Sequence, residues 1–189
     1  MGESIGLGRP GCRRRLRWRL FRFGRDREGT SAIEFAILSM PFCLLLTGIL
    51  ESCISFAAQQ VLTNIADDVA RDVRTGELRG LTKATLRQRF CGELEIIVAK
   101  GCPGLDVDLR SFDTFEKAST EAKLTYKSGD VDTTSFDVTP GGPLTINMLR
   151  VVYRWPVMTD LLALQMSPLD NKKILHFTTS TWRNEPFDD

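Results

Sequence analysis

The chain has 189 residues, 42% of them hydrophobic and 26% charged, with a net charge of +1. That length allows one domain, or a small domain with an appendage, and a single histidine leaves no His-rich metal or acid–base cluster to be found. Near-neutrality conceals an asymmetry: residues 1–28 hold nine arginines against Glu3, Asp26 and Glu28, a net of +6, whereas residues 59–189 hold 16 basic against 19 acidic residues, a net of −3.

The arginine-rich head, RRRLRWRLFRFGR, mixes arginine with Trp18, Phe21 and Phe23. An RNA-binding peptide has that composition, but so does a topogenic leader that adheres to anionic lipid. The apolar belt beside it favours the leader, and no nucleic acid is expected as a partner. The belt runs from about Ala32 to Ala58, and residues 35–50, FAILSMPFCLLLTGIL, contain no charge. Sixteen residues fall short of the roughly 20 that cross a bilayer core; with their flanks they make a helix of about 27 residues, or about 40 Å. A membrane span is therefore expected, with a secretory signal peptide and a buried soluble helix as the alternatives. Lys and Arg flanking a span hold that side in the cytoplasm, so the head is expected inside and the body outside. Pro41 removes one backbone hydrogen bond, which membrane helices tolerate.

Beyond the belt the helix changes character. Val61, Leu62, Ile65, Ala66, Val69, Ala70 and Val73 recur at three- and four-residue spacing, acids and arginines fill the other face, and Gly76 is the expected stop. A second helix is predicted from Lys83, with Thr82 as N-cap, through Cys91 towards Ala99 and ending at Gly101. Strands follow: LDVDLRSF, the shorter KLTYK and TSFDVT, then LTINMLRVVYRWPV after the turn Gly141-Gly142-Pro143, and finally KILHFTTSTWRN. Between the last two, MTDLLALQMSP reads as a short helix or an apolar loop. The fold class is α+β: a long N-terminal helix, transmembrane then amphipathic, packed on a small antiparallel sheet. About 130 residues beyond the span suffice for a modest core.

Of the five cysteines, Cys12 lies on the reducing side, and Cys43 and Cys53 sit in the span as small apolar residues. Cys91 and Cys102 share the oxidising side and can close a loop around GELEIIVAKG, adding about 2–4 kcal/mol; two free thiols or metal ligands are the other readings. No P-loop and no GxGxxG fingerprint is present. His176 has no nucleophile motif near it and reads as structural, and the pairs Asp106/Asp108 and Glu93/Glu95 alternate with apolar residues as an exposed face would. No catalytic residue, metal or cofactor is expected. A hydrolase on a membrane tether would require a convergent cleft of perturbed carboxylates.

One feature of the belt is unexplained by packing: a carboxylate, Glu34, stands just inside it, where an ionisable group is costly. Its setting is basic residues, Gly29, the four residues TSAI, Glu34, the aromatic Phe35 and an apolar helix. This resembles the processing region of type IV prepilins, and within them the TadE family of the tight-adherence (Tad/Flp) pilus system, over residues 28–76, with the ending TSTWRNEPF in support. Flp-type prepilins favour Glu followed by Tyr; Phe35 departs from that. The resemblance implies a pilin-like fold and a prepilin peptidase cutting between Gly29 and Thr30. It also implies a minor pilin or assembly factor working with other Tad minor pilins, inner-membrane assembly proteins and membrane lipid. Glu34 would set register by pairing with the freed amine of Thr30 on an adjacent subunit, since an unpaired carboxylate in a low-dielectric core costs several kcal/mol; a carboxylate snorkelling at the membrane edge is the plainer reading. Glu51 would mark the outer membrane boundary. The resulting organisation is a cytoplasmic leader (1–29), a transmembrane helix in the bacterial inner membrane (30–58) and a periplasmic α+β domain (59–189) whose amphipathic continuation is 59–76. The alternative is an uncleaved single-pass scaffold of the secretion machinery.

Overall fold

The computed structural model describes residues 30–157 and 173–187. The basic leader, Gly29 and the segment MTDLLALQMSP lie outside the described residues. The chain divides into two compact units, 1–47 and 48–189.

Helix α1 (Thr30–Thr75) is one element through both units. In the first unit its side chains are apolar on all sides and unburied, Ile33, Phe35, Ile37, Leu38, Met40 and Phe42 among them. In the second unit the pattern becomes one-sided: Ala58, Leu62, Ile65, Ala66, Val69, Ala70 and Val73 are buried at the spacing of one helical face, the arrangement by which an amphipathic helix meets a core. The helix stops where expected. Gly76 follows it with φ of +77°, a left-handed conformation that suits glycine.

Helix α2 (Lys83–Leu94) starts at a reciprocal capping box, with Thr82 Oγ1 accepting from Thr85 N and Thr85 Oγ1 accepting from Thr82 N. Leu86 and Phe90, four apart, are fully buried. The helix ends at Leu94, short of the predicted Ala99, because the chain curls: Glu95 N donates to Cys91 O, both Ile97 N and Val98 N donate to Leu94 O, and Gly101 N donates to Glu95 Oε1.

Strand β1 (Leu105–Phe112) matches LDVDLRSF in full. Helix α3 (Phe115–Glu121), capped by Thr114, was not foreseen; two turns are too short to show a helical period. Strands β2 (Tyr126–Lys127) and β3 (Asp130–Val131) form a small hairpin. Its turn residues Ser128 and Gly129 both have positive φ, the backbone of a tight two-residue loop. Of TSFDVT only β4 (Val138–Thr139) is strand. β5 (Ile146–Pro156) and β6 (Lys173–Arg183) pair antiparallel along their whole length. The four-stranded sheet has the order β4-β1-β5-β6. It is antiparallel in its three long strands and mixed at one edge, since β4 joins β1 in parallel.

Because side chains alternate across a sheet, Leu105, Val107 and Leu109 of β1 share a face with Leu149, Val151, Tyr153 and Trp155 of β5. With Trp182, α2 and the second half of α1 they form one core. Asp108 and Arg150 occupy the opposite face, under α3 and the Phe136 loop.

Candidate membrane and assembly segment

Thr30 is the first described residue of α1, and Glu34 lies one turn further along the same helix. Both are exposed, as is Phe35 at 73%. None of the residues in the most apolar 18-residue stretch of α1 is buried. A helix hydrophobic all round that none of the described residues covers needs an apolar solvent or partner, and the segment is consistent with a membrane anchor. The hydroxyls of Ser39, Thr47 and Ser52 are satisfied within the helix. Ser39 Oγ donates to Ala36 O, Thr47 Oγ1 to Cys43 O and Leu44 O, and Ser52 Oγ to Gly48 O. That is how a polar side chain survives where water is absent. Pro41 sits inside the helix and has no N–H to donate to the preceding turn. Cys43 and Cys53 are free and exposed.

Glu51 is half-buried on α1, 17 residues from Glu34 and hence about 25 Å along the axis. Close beyond it the folded body takes over. Ser55 is only 6% exposed, and its Oγ lies 3.0 Å from His176 Nε2 on β6. Gln59 Nε2 donates to Phe177 O at 3.0 Å. This clamp was not legible in the sequence, because its partners are about 120 residues apart. Nor does it act as a nucleophile–base pair open to substrate: Ser55 and His176 are both buried, with the Trp155 ring edge-on to the imidazole. Burial pushes the His176 imidazole below its ordinary value of 6.5, because a charged ring is poorly solvated there. Trp155 is itself buried and belongs to the core.

Glu93 and Glu95 are exposed as expected, but the pair Asp106/Asp108 needs correction. Asp108 is fully buried, not on an exposed face. Its Oδ2 accepts from Arg150 Nε at 2.8 Å, and its Oδ1 accepts from Arg110 Nε and Asp137 N, each at 3.0 Å. Arg150 also donates to Glu121 O and lies over the Phe136 ring. Asp106 and Asp130 both bind Arg154. These carboxylates are neutralised by arginines and tie α3 and the β2–β3 hairpin to the sheet.

Cys91 and Cys102 form a disulfide, with Cα atoms 5.7 Å apart. Glu95 lies close enough to offer a third ligand atom, but both sulfurs are already bonded to each other. At the other end of α1 the C-terminal residues close over the helix stop: Glu185 N donates to Arg74 O, Arg74 pairs with Glu185, and Arg79 lies over the Phe187 ring.

No curated protein and no solved structure matches the chain. The family model described as TadE-like protein does match it, over residues 29–71. The matched stretch takes in all of the described helix α1 except its last turn. Over that stretch, less than a quarter of its length, the chain is similar to TadE-like proteins.

Proposed function

We propose that the chain is a minor pilin (pseudopilin) or assembly factor of the Tad pilus, made as a precursor that a prepilin peptidase cuts between Gly29 and Thr30. It crosses the inner membrane once, with the arginine-rich leader in the cytoplasm and the α+β body outside, and works with other minor pilins and inner-membrane assembly proteins. The observation that carries the reading is that the family match opens at Gly29, beside the expected cut, and runs on along the bare apolar surface of α1. A cut there would free an amine at the start of a helix, with Glu34 one turn away. In a bundle of such helices Glu34 of one subunit pairs with the Thr30 amine of its neighbour, and the need to neutralise a carboxylate in a low-dielectric core fixes their axial register.

The mass of the mature N-terminus tests this. Cleavage predicts a chain starting at Thr30 and a Gly29→Phe variant that keeps its leader. A wild-type chain that keeps residues 1–29 favours the second reading, an uncleaved single-pass scaffold. Glu34→Gln should leave the span inserted and cut adhesive pilus yield; normal yield from that variant would remove the pairing role.

A further inference from the structure

The way α1 and β6 lie side by side carries a conclusion about where the body sits. Three contacts pair them in the same order: Ser55 with His176, Gln59 with Phe177, and Arg74 with Glu185. From Ser55 to Arg74 the helix rises about 29 Å, and from His176 to Glu185, two residues past the end of β6, an extended chain covers about 30 Å. The two elements therefore run nearly parallel, and strand position can be read as height along the helix. Lys173 begins β6 and pairs with Pro156, which ends β5. It is three residues before His176, or about 10 Å of strand, and about 10 Å of helix counted back from Ser55 reaches Gly48–Ile49. The β5–β6 end thus lies level with apolar residues of α1 that remain exposed, Ile49, Leu50 and Ile54.

This height collides with the thickness of a membrane. The 16 uncharged residues 35–50 are fewer than the roughly 20 that cross a bilayer core, and each interfacial layer adds about 5–7 Å. If α1 spans, its turns from Gly48 to Ile54 lie in the outer part of the bilayer, and whatever is level with them lies there too. We propose that the β5–β6 end, with exposed Pro156 and half-buried Val157 and Ile174, is seated in the outer interfacial layer of a phospholipid bilayer beside α1. The body does not stand clear of the membrane; it rests one corner of its sheet in it. The chemistry suits the place: Pro156, Val157 and Ile174 are uncharged.

The inference rests on the membrane reading of α1, and the experiment separates the two. In the full-length chain with Cys12, Cys43 and Cys53 replaced by serine, single cysteines are placed at Pro156→Cys, Leu45→Cys and Thr181→Cys. Each is spin-labelled in nanodiscs of phosphatidylethanolamine and phosphatidylglycerol, and its accessibility to oxygen and to a water-soluble nickel chelate is measured. Thr181 lies further up β6 and is the aqueous reference. The expected result is an oxygen-to-nickel ratio at Pro156 several-fold above that at Thr181 and below that at Leu45. Val157→Cys should agree with it if the proline substitution disturbs the strand end. A Pro156 label as aqueous as Thr181, with Leu45 still lipid-like, overturns the inference and leaves the span intact. A Pro156 label closed to both reagents also overturns it, in favour of a protein contact. A Leu45 label as aqueous as Thr181 overturns the span and the inference with it.

Discussion

Asp108 and Arg150 face each other directly across β1 and β5, and each is almost wholly enclosed. Two charges leave water for such a place only if every lone pair finds a donor, and Asp108 meets that condition through Arg150, Arg110 and the Asp137 amide. Removing one partner strands the other. Asp108→Ala should therefore destabilise the body by about 3–5 kcal/mol, read as a fall in thermal midpoint of the full chain in nanodiscs, whereas an aspartate-to-alanine change at exposed Asp68 should be almost silent. His176 makes a different prediction, set by pH. Its folded-state value lies below 6.5 because of burial, so the unfolded chain binds the proton more readily. Its share of stability is complete above pH 6.5 and is lost as pH falls below that value towards the folded one. His176→Gln should flatten this loss between about pH 7 and 5 in denaturation followed at several pH values.

At the level of elements, the end of α1 is fixed by two features that meet at one point. Gly76 adopts a left-handed conformation, and a Cβ built there would fall 2.6 Å from the Phe187 ring. Gly76→Ala should cost about 1–2 kcal/mol for backbone conformation alone, plus whatever displacing the ring requires. Pairing it with Phe187→Ala should recover the steric part and not the conformational one, a split visible in a double-mutant cycle of unfolding free energies. α2 is bounded differently, by a threonine capping box at one end and by a disulfide-closed turn at the other. The C-terminal residues thus serve the helix rather than extend the strand.

For the molecule as a whole, the disulfide joins the end of α2 to the approach to β1, two elements that share the core. Reduction, or Cys91→Ser, should lower stability by about 2–4 kcal/mol, measured by denaturation of the full chain with and without reductant. The same comparison tests compartment: a chain recovered from cells with the bond intact has had its body on an oxidising side. Function enters at this scale too. One helix supplies both the surface that its own body covers and the surface left bare, so under the proposed function membrane residence and assembly with other subunits would compete for the same side chains.

How much of this could be read from residues alone depends on distance along the chain. The apolar belt, the amphipathic continuation, Gly76 as stop, Thr82 as cap and LDVDLRSF as strand are local signals, each written within a few residues by periodicity, capping chemistry or turn preference. The Gly29-to-Phe35 pattern belongs to the same class, since the cleavage proposed there would be read from a few adjacent residues. What no local pattern carries is which face a residue finds. Asp106 and Asp108 alternate with apolar neighbours as an exposed strand does, yet arginines 42 and 48 residues away bring Asp108 inside and pair Asp106. Likewise the Ser55–His176 clamp, the burial of Trp155 and the height of the β5–β6 end exist only because tertiary contacts are made between segments whose sequences contain no record of one another.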